Sequence, residues 1–346
     1  MASAVLISDY SAVRDGGAGV IDLSSRGRIL ASGSEAVMFL NGLVTIDMKS
    51  LGLNSWMPAA FANVQGRLLA AVRIIHHADG FLIETEESNR TAVLKLIERF
   101  TLAGDFKVAD LTDETAELSV QGNAVCDIVA KVFGAQTAEL ERQKSLTFDF
   151  RSVLVTLIRA THTAEDGFDI FFNRDHLPTM FEALTNAGAP SVSKETFETL
   201  RIEAGVPRYG IDMDETNVVT ETNLDDAVSF TKGCYLGQEI IVRIKHRGHV
   251  AKKLTGVVLD NTTSAPRNSK ILSADHKEVG RVTSSTFSPR LDRAIALAYL
   301  KYDYLVPGTV VRIVTADGET AGAVAEIPFV RGSWYRDDEL VQNRER

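Results

Sequence analysis

Apolar and polar positions alternate through Val72-Arg73-Ile74-Ile75-His76-His77, and again after an Asp79-Gly80 turn through Phe81-Leu82-Ile83-Glu84. This pattern predicts two strands of a hairpin. Leu154-Val155-Thr156-Leu157-Ile158-Arg159 leads in a similar way to Asp166-Gly167 and Phe168-Asp169-Ile170-Phe171-Phe172. Each strand pair is followed by helical spacing. Asn89-Arg90 opens the first helix, with Val93, Leu94, Leu96, Ile97 and Phe100 apolar and Ala103-Gly104 at its end. Asn173-Arg174 opens the second, with Leu177, Met180, Phe181 and Leu184 apolar and Ala187-Gly188 at its end. Asparagine at a helix start and glycine at a helix stop are the signals such a boundary requires. One strand-turn-strand-helix unit therefore occurs twice, which predicts an α+β region of two packed lobes with a cleft between them. Phe39, Leu40, Val72, Ile74, Phe168, Ile170 and Phe172 are assigned to its core.

Beyond Lys253 helical periodicity disappears. Short β-rich segments at Leu254 to Leu259, Glu278 to Thr286, Ala294 to Leu300 and Val310 to Thr315 are separated by turns at Ala265-Pro266, Pro307-Gly308 and Asp317-Gly318. A small antiparallel barrel or sandwich is expected there. The division falls near residue 250, giving a two-lobed region over 1–250 and a β domain over 251–335.

Composition changes this picture little. Hydrophobic residues make up 45% and charged residues 24% of 346, which is the globular norm and excludes a disordered chain. A net charge of -9 opposes binding to nucleic acid or acidic membranes, so any basic function must be local. The local exception runs from Arg243 to Lys253, where Lys245 and Arg247 are candidates for an anionic tail or a client contact. Cys126 and Cys234 fit neither a CxxC pair nor a disulfide framework, which points to a reducing compartment. With no apolar run of membrane-spanning length and no signal-like start, a soluble cytoplasmic protein is expected. No metal site is expected: His76 and His77 point to opposite faces of a strand, and His246 and His249 sit among cations. GxSxG, P-loop and GxGxxG signatures are absent.

Chemistry concentrates in Lys232-Gly233-Cys234-Tyr235-Leu236-Gly237-Gln238-Glu239, followed by Arg243 and Gly248. Glycines on both sides of the thiol permit close approach, and nearby cations together with a helix starting near Gly237 favour a thiolate at Cys234. A second candidate is Leu200-Arg201-Ile202-Glu203-Ala204-Gly205-Val206-Pro207-Arg208-Tyr209-Gly210. Helical spacing sets Phe197, Leu200 and Ala204 on one face and leaves Arg201 and Glu203 elsewhere. A carboxylate at a cleft rim can accept two hydrogen bonds from an amidine-like edge such as that of a pterin.

Together these two segments resemble the YgfZ proteins, relatives of the glycine cleavage T-protein. Phe39-Leu40-Asn41-Gly42-Leu43-Val44-Thr45-Ile46-Asp47, Asn63-Val64-Gln65-Gly66-Arg67 and Gly280-Arg281-Val282-Thr283-Ser284 extend the resemblance over residues 20 to 330. It implies two ferredoxin-like lobes around a central folate cleft, plus a C-terminal antiparallel β-barrel. It also implies that tetrahydrofolate or a reduced derivative binds there, with Glu203 at the pterin and Arg201, Lys232, Tyr235, Gln238 and Arg243 around the ligand. For function it implies an accessory role in assembly or repair of [4Fe-4S] proteins, including a tRNA methylthiolation enzyme, with iron-sulfur client proteins as partners and Cys234 as the reactive group.

Three modes of action stay open for Cys234: a mixed disulfide, contact with a labile cluster, or acceptance of a one-carbon unit. The resemblance breaks at one point. Ala70 and Ala71, in Gly66-Arg67-Leu68-Leu69-Ala70-Ala71-Val72, stand where the T-protein carries the acid that assists methylene transfer, and a methyl group cannot relay a proton. The rival readings are a true folate-dependent one-carbon transferase, of aminomethyltransferase or demethylase type, and a folate-binding regulator without chemistry.

Overall fold

The computed structural model describes residues 2–102, 104–316 and 318–336; Ala103, expected at a helix end, and Asp317, expected in a barrel turn, lie outside the described residues. The chain begins with α1 (Ala2–Arg14) and β1 (Gly19–Asp22). The first lobe then follows without interruption: β2 (Gly27–Ser32), α2 (Ala36–Leu43), β3 (Ser55–Ala62), β4 (Leu68–His77), β5 (Gly80–Thr85), α3 (Arg90–Glu98) and β6 (Lys107–Asp110). The second contains β7 (Thr115–Gln121), α4 (Val125–Phe133), β8 (Ser145–Phe150), β9 (Val153–Arg159), β10 (Gly167–Asn173) and α5 (Leu177–Ala187).

The two sheets have the same antiparallel order. In the first lobe it is β3-β4-β5-β2-β6; in the second, β8-β9-β10-β7-β1. Each is a ferredoxin-like βαββαβ sheet carrying one extra edge strand, so the duplication extends well beyond the repeated hairpin. The lobes differ in the source of one edge strand, which is β6 in the first. In the second lobe that place is taken by β1 from the start of the chain, paired with β7 from Gly19 opposite Gln121 to Asp22 opposite Leu118.

Local sequence explains the elements. β4 turns Ala70, Val72 and Ile74 inward, where they pack with Leu40, Phe61 and Ile83 in the first core. Helix α3 buries Val93 and Ile97 against this core, and it stops at Glu98, before the expected Ala103-Gly104. Gly188 adopts φ 115°, a left-handed conformation that glycine reaches without steric cost, and it ends α5 where expected. Phe168, Ile170 and Phe172 anchor the second core; Phe39 packs partly buried against the first. A third cluster of Ile75, Leu82, Ile158 and Phe171 lies where the two lobes meet. Each such side chain contributes about 1.5–3 kcal/mol on burial.

After α6 (Lys194–Glu203) and α7 (Gln238–Arg247) the chain forms a closed six-stranded antiparallel barrel. Its strands are β11 (Lys252–Leu259), β12 (Lys270–Ser273), β13 (Glu278–Ser288), β14 (Arg293–Lys301), β15 (Val310–Thr315) and β16 (Gly318–Ala325). The barrel docks on α6 through Ile202, which packs with Leu254, Ile295, Leu297 and Tyr299. A buried polar knot reinforces the contact. Arg201 donates to Asp212 at 2.6 Å and to Ser284 at 2.7 Å, while Thr283 and Ser284 donate to the other Asp212 oxygen, both at 2.6 Å.

Candidate functional site

A cavity of about 400 Å³ opens between the lobes, within the usual range for a small-molecule site. Trp56 and Pro58 of β3 and Ala71 of β4 form one wall; His162, on the connection between β9 and β10, forms another; Phe197 of α6 and Tyr209 close it. The β9–β10 connection is not the tight turn expected from Asp166-Gly167. β9 ends at Arg159 and β10 starts at Gly167, and the intervening loop is pinned by Gln121, whose side-chain oxygen accepts from the His162 backbone N–H at 2.9 Å. This holds His162 against the cavity.

Beneath the cavity lies a buried charge network with Arg73 at its centre. Arg73 donates from Nε to Glu84 at 2.6 Å, from one terminal nitrogen to Glu117 at 2.9 Å, and from the other to Asp169. Arg26 also pairs with Glu84. Burial opposes ionisation of Asp169, but His162 and Arg73 overcome it and hold this carboxyl below the usual carboxylate range. At Glu117 burial wins and pushes the pKa up. Glu117, His162 and Asp169 bring potential ligand atoms within 4.8 Å of one another, yet the Arg73 guanidinium bonds both carboxylates and supplies the positive charge itself.

The cavity wall also holds an orphaned donor. The indole N–H of Trp56 is buried and has no hydrogen-bond partner, a state that costs free energy until an acceptor arrives. Exposed Lys194, at the start of α6, stands at the rim. Neither residue belongs to a sequence motif; only the fold brings them together.

The cysteine segment forms a separate site. Cys234 is exposed, in the loop just before α7, and does not line the cavity. Gly237 adopts φ 82°, and a Cβ there would stand 2.4 Å from the Asn63 carbonyl, so the loop can lie this close to the β3–β4 turn only as glycine. Lys232 is buried and its ammonium donates to the carbonyls of Asn41 (2.7 Å), Val44 (2.9 Å) and Ile46 at the end of α2. Burial pushes its pKa down to about 8. The segments Phe39 to Asp47, Asn63 to Arg67 and Lys232 to Glu239 thus meet in space.

These positions revise the expected ligand set. Of the seven residues assigned to one site, only Arg201 lines the cavity, and its guanidinium is committed to Glu198, Asp212 and Ser284. Glu203 does not face the cavity. It is fully buried and accepts from Tyr10 at 2.8 Å, from Arg14 at 3.1 Å and from Ser288 at 2.5 Å, which joins α1, α6 and the barrel. Lys232 caps α2 instead of facing a ligand. Tyr235 is buried with Ala60, Leu68 and Ile241, and burial raises its phenol to about 12. Gln238 donates to the Lys232 carbonyl at 3.3 Å, and Arg243 is exposed on α7. Ala71 is the link between the two sites, since it lines the cavity and packs against the cluster under the cysteine loop.

Comparison with known proteins follows this architecture. Residues 2–232 match the GCVT N-terminal domain, and residues 252–331 match the glycine cleavage T-protein C-terminal barrel domain. An aminomethyltransferase of Caldanaerobacter subterraneus is 27% identical over 344 residues, covering 96% of this chain and 89% of that protein. One from Rubrobacter xylanophilus is 31% identical over 294 residues, covering 85% and 78%. The crystal structure of the glycine cleavage system aminomethyltransferase T from Bartonella henselae superposes with a TM-score of 0.86, covering 94% of this chain and 90% of that one at 21% identity. Among the described residues no helix is long and apolar enough to cross a membrane.

Proposed function

Since the chain belongs to the glycine cleavage T-protein family, we propose that its central cavity binds a reduced folate and supports one-carbon transfer to or from it. The observation that carries this reading is the unpartnered Trp56 N–H in a cavity walled by Trp56, Phe197 and Tyr209. Flat aromatic walls suit a pteridine and an aminobenzoyl ring, and an orphaned donor suits a heteroatom acceptor. Lys194 at the rim suits a glutamate carboxylate. Tetrahydrofolate followed by calorimetry and tryptophan fluorescence is expected to bind and to quench Trp56. Trp56→Phe keeps the wall but removes the donor, and is expected to weaken binding roughly 2- to 12-fold, the value of one hydrogen bond. Absence of binding at millimolar tetrahydrofolate would sink the reading.

The YgfZ-type role in iron-sulfur protein assembly or repair is the second reading, and exposed Cys234 is what favours it. Val64, 63% exposed, and Leu236 also stand out from this surface, and an exposed thiol beside exposed apolar side chains suits a protein partner better than a cavity ligand. The relatives named above are aminomethyltransferases, which places the transferase reading first. Cys234→Ser separates the two. Folate binding and turnover by the purified variant are expected to stay within about threefold of wild type, as for a surface substitution away from the cavity. The iron-sulfur role instead requires that a [4Fe-4S] enzyme such as aconitase lose activity in cells lacking the protein and regain it only with the wild-type chain.

A further inference from the structure

One problem is left by the transferase reading. Joining a carbon unit to an amine nitrogen displaces a proton, and the group the carbon leaves must gain one. Ala71 and Val72, which β4 presents to the cavity, can do neither.

Two other carboxyl groups around the cavity are less well placed. Glu86 is held by Arg26 and Arg208, which keep its pKa low against the effect of burial. Asp226 lies in a short turn of helix; burial raises its pKa, but among the described residues no side chain hydrogen-bonds it and fixes its orientation. His162 differs from both. It is the one histidine lining the cavity among the described residues, it is buried, and its Nε2 lies 3.0 and 3.2 Å from the two oxygens of Asp169. Asp169 is itself fixed by Arg73 and kept ionised. A carboxylate on Nε2 selects the tautomer with the proton there and leaves Nδ1 as the basic nitrogen. Nδ1 has no hydrogen-bond partner among the described residues. Phe197 packs edge-on against the ring at 6.1 Å and limits its rotation.

We propose that His162, oriented by Asp169, is the proton acceptor and donor of the central cavity. The inference rests on the folate reading and supplies that site with its acid-base group. His162 takes the proton shed by an amine nitrogen as it bonds to the transferred carbon, then returns it to the departing group. In each exchange one N–H or S–H bond and one carbon–leaving-group bond break, and one bond to the carbon and one bond from hydrogen to the leaving group form. Moving a methylene from two folate nitrogens to an amine and a thiol takes two such exchanges, with a hydrogen left on each folate nitrogen and no oxidant or reductant needed. Asp169 is a positioning residue in this scheme.

The test uses the full chain, with 5,10-methylenetetrahydrofolate, ammonia and a small thiol as the reacting probes and tetrahydrofolate as the binding probe. His162→Gln keeps an amide able to donate to Asp169. It is expected to bind tetrahydrofolate within about threefold of wild type by calorimetry while turnover falls at least about 100-fold, the usual loss when a general acid-base group is removed. His162→Gly is expected to regain turnover when free imidazole is added, which a purely structural histidine would not allow. Turnover of His162→Gln within threefold of wild type, or an unrescued His162→Gly that still binds tetrahydrofolate, overturns the proposal and leaves folate binding standing. A wild-type chain that binds no tetrahydrofolate, or binds it without turnover, removes the transferase reading and this proposal with it.

Discussion

Arg73→Met is expected to destabilise the protein by about 3–5 kcal/mol, read as a drop in the urea midpoint at unchanged slope. Methionine fills much of the same space, so the loss is electrostatic and not that of a cavity. The guanidinium serves Glu84 from its own lobe and Glu117 and Asp169 from the other, all three fully buried. Without it, among the described residues, the three carboxylates share only Arg26, the more distant Arg28 at 3.8 Å from Glu117, and His162 as basic partners.

The pH dependence has a definite sign. Asp169 has a folded pKa below its unfolded value, so its contribution is present above the ordinary aspartate range near 4 and is lost as pH falls toward the folded pKa. Glu117 has a folded pKa above its unfolded value, so its contribution is complete below the ordinary glutamate range and declines as pH rises through the folded pKa. In Arg73→Met the buried carboxyls retain protons to higher pH. The stability gap between wild type and variant therefore widens as pH rises above the ordinary carboxylate range. A gap independent of pH would show that Arg73 acts through packing alone.

Lys232→Met is expected to have the second largest effect. Its ammonium satisfies three carbonyls at the end of α2, and methionine leaves them buried without donors at about 1–3 kcal/mol each before relaxation. A net loss of about 3–5 kcal/mol follows once water reaches some of them. The cysteine loop then loses its tie to the first lobe. Alkylation of Cys234 should change in the variant, with half-buried Cys126 as the internal reference. An unaltered urea midpoint would mean that the loop is held by Gly237 and Tyr235 alone.

The hairpin of β4 and β5 was legible because its alternation and its Asp79-Gly80 turn lie within one short stretch. The second hairpin was misread at its turn, since Asp166-Gly167 looks like a tight reversal although the strands are joined by the buried loop carrying His162. In the barrel, β12 is only four residues long and β16 is rich in Gly and Ala, so neither shows a marked period. The Cys234 motif stands out as a string of residues, but a string does not say where a side chain points. Lys232 and Tyr235 lie beside the thiol in sequence and turn inward, away from solvent. The cavity was hidden for the opposite reason: Trp56, Ala71, His162, Phe197 and Tyr209 share no local pattern and meet only when both lobes and α6 have assembled.

Strand β1 gives the protein a direction of synthesis. It leaves the ribosome before any partner in its own sheet exists, because it ends at Asp22 and β7 begins only at Thr115. All five strands of the first sheet lie within residues 27–110, so that sheet can pair while the second is still being made. Until β7 emerges, β1 is an unpaired strand tethered to a folded domain, and such strands are the ones that pair with the wrong chain. Crowded translation of this message therefore carries an aggregation risk concentrated in one interval, when about a third of the chain has been made.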